Sequence, residues 1–441
     1  MNIHRIKKQA LMSAKGYLQR FIREGFSFQN VLSQLKELED GSENYRKTYQ
    51  LDALKKITKH AGQHIPHWRE TFTRCGFDPN GITSIDDLKC LPLLTKQEVN
   101  ANHKSFLSEI ANHWALTKGT TSGTTGTPGV FYRDMHSVVL ENAMIWHVRQ
   151  QAGVIPGERM SWIRGDMFLS PDQHKPPFWI KNYGTNVLLV SSYHLIPKYR
   201  EQILNAMEHY GADCAYAYPS SAYTIARWCQ ELGRRLPFKN LNTSSETVLA
   251  EQRETIASVL NGHWVDHYGQ AERVCFFANF DGGEFLEYSE YGVTELLPLD
   301  DGRFEVVASN LHNMAMPLFR YRTGDIVEKR VQSGDSRPKI IGLMGRKDDF
   351  VKLPDNRLIG RLGSVFKGLE AIEEAQIYQA ANGAVTLRIV PGQGYGPGME
   401  ERLMKNARER IGHDITIEVQ RMDAIPRTKN GKLKFVVSDC V

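Results

Sequence analysis

Apolar and polar positions along this chain change period several times, and each change predicts an element. Ile3, Ile6, Leu11, Leu18, Phe21 and Ile22 recur at helical spacing among Arg5, Lys7, Lys8, Lys15, Arg20 and Arg23. That spacing predicts an amphipathic helix, and residues 1–44 read as a basic helical extension. Such a helix ordinarily packs on its own protein as a surface helix with solvated lysines, although the same pattern suits a membrane surface. Residues 45–118 read as helices with polar connections. They include an entry at Ser84-Ile85-Asp86-Asp87-Leu88 and a cap at Thr95, acting through Gln97 and Glu98, in Leu91-Pro92-Leu93-Leu94-Thr95-Lys96.

Farther along, Trp114-Ala115-Leu116 and Val130-Phe131-Tyr132 read as two strands around a polar loop, residues 137–151 as a helix, and residues 160–190 as short strands alternating with turns. Tyr216-Ala217-Tyr218-Pro219-Ser220-Ser221 is a strand running into a Pro-Ser turn that opens a helix. Asn242 to Glu246 leads into another helix, and Val265 to Tyr268 is a strand followed by a glycine turn. Alternating strands and helices predict an α/β fold. A boundary falls at the charged stretch Gly345-Arg346-Lys347-Asp348-Asp349. Beyond it lies a small α+β unit: a hairpin turning at Pro354-Asp355-Asn356, a helix near 364–374, strands near 376–378 and 385–390, a helix over 399–411 and a strand over 416–420. The expected domains are therefore 1–345 and 346–441.

The loop between the two early strands has its own chemistry. Residues 120–130 hold five threonines, one serine and three glycines, so they offer many backbone N–H groups and hydroxyls and little core material. That inventory suits a phosphate chain, because glycine lets successive N–H groups turn inward and hydroxyls add donors without bulk. The plain alternative is a flexible linker. No lysine follows Gly126 as a Walker A loop requires, and the alternating-glycine dinucleotide fingerprint is absent.

Composition narrows the classes. The length allows two to three domains, and a net charge of +5 without an aromatic-interleaved basic patch argues against nucleic acid. Six scattered cysteines form no Cys-x-x-Cys pair, which favours reduced thiols and a cytoplasmic setting over a disulfide framework or zinc knuckle. No run of about 18 apolar residues offers a membrane span.

Several turns carry candidate chemistry. Tyr268 can stack on a purine while Asp266 or a backbone carbonyl accepts from its amine, and Glu272 is a hard oxygen ligand suited to Mg²⁺. In Tyr321-Arg322-Thr323-Gly324-Asp325-Ile326 a tight turn presents Asp325 to a ribose. Read alone, each has a bland alternative: a packed tyrosine, or a turn-capping aspartate. The end of the chain holds Lys432 in Thr428-Lys429-Asn430-Gly431-Lys432, by itself a solvated turn lysine.

Taken in order, these segments resemble the motif series of the adenylate-forming acyl and aryl ligases, over about residues 45–437. Leu91 to Lys96 extends the likeness to phenylacetate-CoA ligases, and Ser244-Ser245-Glu246 with residues 352–362 to their capsule-biosynthesis branch. The resemblance implies a large N-terminal adenylation domain and a small mobile C-terminal lid. It implies that Thr121, Ser122, Gly123, Thr124, Thr125 and Gly126 cradle ATP phosphates; that Ser245, Glu246, Asp266 and Tyr268 frame adenine; and that Asp325 and Arg346 bind ribose. Glu272 would hold Mg²⁺, Asp348 would be the hinge, and Lys432 would bridge the acid and the α-phosphate. Tyr216, Tyr218 and Pro219 are expected to line the acyl side with the helix of His136 and His147, and Trp162, Arg164 and Asp166 to make it partly polar.

Two departures stand out. Gly129 occupies the position after the loop proline where many relatives have lysine, so Lys118, Arg133 or the metal is expected to supply that charge. Cys275 lacks the Cys and His partners of relatives with a structural metal, so no zinc is expected. The implied activity is an AMP-forming carboxylate ligase using ATP and Mg²⁺ with a thiol acceptor, CoA by default. An amine acceptor in surface-polysaccharide tailoring and a non-catalytic nucleotide-binding protein are the alternatives. A homodimer is the default oligomer.

Overall fold

The computed structural model describes the chain apart from residues 1–2, 121–129, 165–167, 171–172, 237, 249, 261, 333, 347–349, 355–357, 360–361, 367–368, 370, 414, 429–432 and 441. The described residues divide into two compact units. One comprises Met1–Glu158, Asn182–Asn186 and His263–Leu343; the other comprises Arg159–Lys181, Val187–Gly262 and Met344–Val441.

The first unit begins with the helices Ile3–Arg23, Phe26–Asp40, Glu43–His64 and Pro66–Cys75. Pro66 starts the last of these, where its missing N–H costs nothing, and Gly76 ends it in the left-handed region at φ 66°. Two reciprocal caps follow, Ser84 with Asp87 and Thr95 with Glu98, so Glu98 is the partner Thr95 uses. The strands Thr117–Thr120 and Val130–Arg133 pair antiparallel, with Thr120 opposite Val130. The hairpin is as expected, but its first strand starts later: residues 113–115 form a 3₁₀ turn, and Trp114 is 99 % exposed. An antiparallel array follows, joining His263–Gly269, Phe276–Phe280, Phe285–Glu287, Lys339–Ile341 and Lys329–Val331 in that order. A second array joins Gly292–Pro298, Phe304–Asn310 and Tyr321–Val327. Leu54, Trp68, Phe72, Phe106, Phe131, Phe277, Phe319 and Tyr321 belong to one buried apolar cluster uniting the early helices with these sheets.

The second unit is doubly wound around parallel strands. Val187–Ser191, Met160–Arg164, Cys214–Ala217 and Asn240–Ser244 lie side by side, with the helices Arg200–Tyr210 and Pro219–Glu231 between them in sequence and Ala250–Val259 after the last. Val187–Ser191 is buried throughout, as a covered parallel strand must be. This is the α/β architecture the pattern predicts.

Residues 351–436 contribute a separate buried cluster that includes Val351, Ile377, Leu387, Leu403 and Val436. Val351–Lys352 and Leu358–Ile359 form the expected hairpin. The helix expected near 364–374 is instead a 3₁₀ segment, Leu362–Phe366, followed by the strand Ile372–Gln379. Pairing with Val385–Pro391 wins over helical spacing. A strand the pattern misses, Val436–Ser438, pairs parallel to Ile372–Gln379, and Ile417–Arg421 completes the sheet on the far side. Gln379 ties the hairpin to this sheet, accepting from Lys352 N at 2.9 Å and donating to Lys352 O at 2.7 Å.

Candidate active site

In the first unit, three predicted site residues sit in two hydrogen-bonded pairs. Tyr268 ends a strand and stacks on Phe277 at 5.0 Å between ring centroids. Its hydroxyl donates to Asp325 Oδ2 at 2.6 Å. Burial, then the neighbouring Asp325 charge, holds the phenol well above its usual range, so it stays a donor at neutral pH. Glu272 is buried, and the Tyr321 hydroxyl donates to its Oε1 at 2.8 Å. Tyr321 and Asp325 lie on one strand, so the Glu272 and Asp325 carboxylates are each held by a phenol from the facing motif.

Asp325 does not follow a tight turn, as its sequence suggests. Residues Tyr321–Val327 form a continuous strand whose register against Phe304–Asn310 shifts between Glu305 and Val307. Gly324 takes φ 75° within this bulge. Thr323 Oγ1 donates to Val306 O at 2.8 Å and accepts from Asp325 N at 3.0 Å, so the bulge turns the Asp325 side chain to Tyr268.

The loop before Glu272 is clamped. Gln270 donates to the Tyr268 hydroxyl and, at 3.3 Å, to Cys275 Sγ. Arg133 donates from Nε to Ala271 O at 3.1 Å, and its Nη2 donates to the same oxygen. Burial, then Arg273 nearby, lowers the Arg133 guanidinium to about 10. Arg133 was a candidate for the charge missing at Gly129; its described partner is this backbone carbonyl. A side chain at Gly119 would run into the Arg133 guanidinium, which explains a glycine in that strand. The segment Leu91 to Lys96 also finds its place here: Leu94 N donates to Arg320 O and Leu94 O accepts from Arg322 N, both at 2.9 Å, bracketing Tyr321.

Cys275 is buried beside Gln270, and burial pushes its thiol up. Among the described residues no group of three or more His, Cys, Asp or Glu side chains could hold a metal. Glu272 nevertheless fits a Mg²⁺ that arrives on a nucleotide, because Mg²⁺ takes one or two carboxylates and fills its remaining positions with phosphate oxygens and water. Asp266 is buried on the same strand as Tyr268, opposite Asn279.

In the second unit, the parallel strands end in a second group of predicted residues. Ser245 follows a strand with φ 75°, a conformation few non-glycine residues adopt. Arg273 and Arg320, at φ 55° and 50°, stand next to Glu272 and Tyr321 in the same way. Such backbone states are costly and concentrate where geometry serves function. Glu246 meets two backbone N–H groups: its Oε2 accepts from Ser220 N at 3.0 Å and its Oε1 from Leu433 N at 3.1 Å. It thereby caps the helix that Pro219 begins, and it holds the residue directly after Lys432 in the chain.

The expected acyl-side residues are also assembled. The Tyr216 hydroxyl lies 3.0 Å from Ser244 Oγ, and Trp162 meets the Tyr216 ring edge-on at 5.5 Å. The Arg164 guanidinium sits 4.5 Å from the Tyr216 ring centroid and 5.1 Å from that of Tyr218. His147, by contrast, is a packing residue in the first unit, 3.2 Å from Glu39 Oε2 and edge-on to Tyr288. Thr121 to Gly126, Asp166, Asp348 and Lys432 lie outside the described residues, as does the Arg346 side chain, although Gly345–Arg346 is strand. Their neighbours are described: Arg427 pairs with Glu374, and Gln376 Nε2 donates to Lys434 O at 2.8 Å, flanking Lys432 on both sides. Gln270, Tyr321 and Glu374 are the residues that sequence reasoning passed over. Tyr321 had a signal, since it begins the same motif as Asp325.

This architecture is that of the adenylate-forming ligases. A 2-hydroxyisobutyryl-CoA ligase in the postadenylation state, in complex with R3-HIB-AMP, superposes with a TM-score of 0.69 over 90 % of each chain at 16 % identity. The CapK C-terminal domain model matches residues 354–439. Protein CapK of Staphylococcus aureus is 22 % identical over 81 % of each chain. The phenylacetate-coenzyme A ligase of Pseudomonas putida is 24 % identical over 72 % of this chain and 74 % of its own. The chain is a homologue of CapK and of the phenylacetate-CoA ligases.

Proposed function

We infer that this chain is an ATP-dependent, AMP-forming acid ligase. It activates a carboxylic acid with ATP and Mg²⁺ as an acyl-adenylate and passes the acyl group to CoA. The observation that carries the reading is the paired phenol–carboxylate arrangement, Tyr268 with Asp325 and Tyr321 with Glu272, in the motifs that serve adenine, ribose and metal in this class. The homology to phenylacetate-coenzyme A ligases supports the thiol acceptor.

In this reading a carboxylate attacks the α-phosphate, and two anions must approach. Loop N–H groups of 121–126 and the Lys432 ammonium offset the charge that builds up, while Mg²⁺ bound through Glu272 supplies Lewis-acid charge when present. Asp325 and Arg346 take the ribose; Ser245, Asp266 and Tyr268 frame adenine. Residues 346–441 act as a lid hinged at Asp348. Closure delivers Lys432 and excludes water, and reopening admits the thiol. A cytoplasmic setting supplies the ATP and agrees with six free thiols. A second acceptor, an amine in surface-polysaccharide tailoring, is favoured by the CapK C-terminal domain match in the segment assigned to the lid.

Pyrophosphate release across a panel of carboxylic acids, with wild type and Lys432→Ala side by side, tests the activation step. Acid-dependent release that collapses in the variant is expected. ATP turnover unchanged by Lys432→Ala would sink the reading. Adding CoA then separates the acceptors: thioester formation marks the thiol route, while hydroxylamine trapping with no response to CoA marks the amine route.

A further inference from the structure

The first helix is built inside out. Along Ile3–Arg23 the described residues turned toward the protein are, apart from Met12, small or polar: Ser13 and Gly16 are buried, and Lys8, Gln9, Met12 and Gln19 are half-buried. Contact is close on that side. Tyr183 N donates to Ser13 Oγ at 3.1 Å, and a side chain at Gly16 would collide with Asn182. The seat continues past the helix, where Asn142 Nδ2 donates to Arg23 O at 3.4 Å and Trp146 Nε1 to Glu24 Oε1 at 3.3 Å. Opposite this seat, Ile6, Leu11, Tyr17, Leu18, Phe21 and Ile22 are all exposed, with Leu11 at 70 % and Phe21 at 73 %. At 100° per residue these six fall within one arc of about 160°. A surface helix normally shows its protein the apolar stripe and water the polar one. Here the helix is fixed by its polar face, so the apolar stripe has nothing of its own unit to cover it.

Charge identifies the cover. The helix carries Arg5, Lys7, Lys8, Lys15, Arg20 and Arg23 and no acidic residue. A second copy meeting this face about a two-fold axis would set Lys7 and Lys15 against the same cations, whereas an anionic lipid surface complements them. We propose that the exposed face of Ile3–Arg23 is a membrane-surface docking site, with Leu11, Tyr17, Leu18 and Phe21 entering the boundary between headgroups and acyl chains while Lys7 and Lys15 meet anionic headgroups. The helix lies in the plane of the surface and the rest of the chain stays in water. Peptide groups of the helix are already satisfied, so shallow insertion exposes no backbone to lipid.

The test is co-sedimentation of the full chain with vesicles of phosphatidylcholine alone and with about 30 % phosphatidylglycerol added. Wild type is expected to partition onto the anionic vesicles, and partitioning should weaken as salt rises through the range where the Debye length shortens. The double change Leu11→Ser with Phe21→Ser should lower the partition coefficient about tenfold or more, and Lys7→Glu with Lys15→Glu should abolish the preference for anionic lipid. All four positions are exposed and outside the active-site groups, so both variants should keep wild-type circular dichroism and pyrophosphate release. No partitioning of wild type, or equal partitioning of the Leu11/Phe21 variant, overturns the proposal. So does a wild-type dimer in sedimentation velocity that the Leu11/Phe21 variant lacks, because a second copy would then be the cover.

Discussion

Glu272 and Glu246 each follow a strand end by two or three residues, and each belongs to a motif expected to touch nucleotide, yet their carboxylates meet different donors. Glu272 is buried and takes a phenol hydroxyl from Tyr321. Glu246 takes two backbone N–H groups, one at the start of the helix Pro219–Glu231 and one from Leu433. A phenol is a single donor carried on a side chain. Two backbone donors use a carboxylate to fasten chain segments together. Two similar acidic turns therefore meet different donors: Glu272 a side-chain hydroxyl, and Glu246 backbone N–H groups, one of them in the residue that follows Lys432.

The sharpest way to break this comparison is to change the charges on the catalytic side. Glu272→Gln and Lys432→Ala should each lower acid-dependent pyrophosphate release about 10²- to 10³-fold while ATP still binds. A Glu272→Gln enzyme with normal turnover would remove the distinction altogether. Glu246→Ala comes next: two charge-assisted bonds to part-buried backbone are lost, at about 1.5–3 kcal/mol each. Its deficit should appear in the rate of adenylation more than in the KM for ATP, and Glu246→Gln, which keeps acceptor oxygen for one N–H, should recover part of it. An equal rise in ATP KM for both variants would instead return Glu246 to the adenine pocket.

Tyr321→Phe is expected to be milder, with one hydrogen bond to a carboxylate lost and about tenfold in rate. Gly119→Val acts through Arg133: displaced from Ala271 O, the guanidinium no longer clamps the turn before Glu272, and the midpoint of urea unfolding should fall by an amount equivalent to about 1–3 kcal/mol. The smallest effect lies far from the site, at Glu39. Burial raises its carboxyl, but the His147 hydrogen bond and Arg337 outweigh burial and hold it down at about 2. A depressed carboxylate stabilises the fold fully above its unfolded value of 4.5 and loses that contribution as pH falls from there toward 2. Urea midpoints should drop across that window for wild type and much less for Glu39→Gln.

How much was legible depended on whether local pattern or distant pairing decided the outcome. The helix opened by Pro219, the hairpin around the threonine-rich loop and the Thr95 cap were readable because each rests on neighbours a few residues away. Residues 372–374 read as helix because their spacing permits one, and only the pairing partner 385–391 makes them strand. Asp325 was readable as a site residue, but not its bulge, which needs the opposing strand to supply Val306 O. The exposed apolar face of Ile3–Arg23 was legible as a stripe and not as an outward one, because the seat that reverses it lies at Asn182 to Gly184, far along the chain.

The sequence by itself determined the α/β class, the order of the adenylation motifs and the residue types able to do the chemistry, since composition and short-range spacing carry these. Tertiary structure alone decided which carboxylate meets which donor. It set Tyr268 on Asp325 and Tyr321 on Glu272, gave Glu246 to the backbone, and turned the first helix apolar side out. Hydrogen-bond partners more than fifty residues apart, as Tyr268 and Asp325 are, leave no periodic trace in a single sequence, because the fold that joins them is the sum of all the packing between.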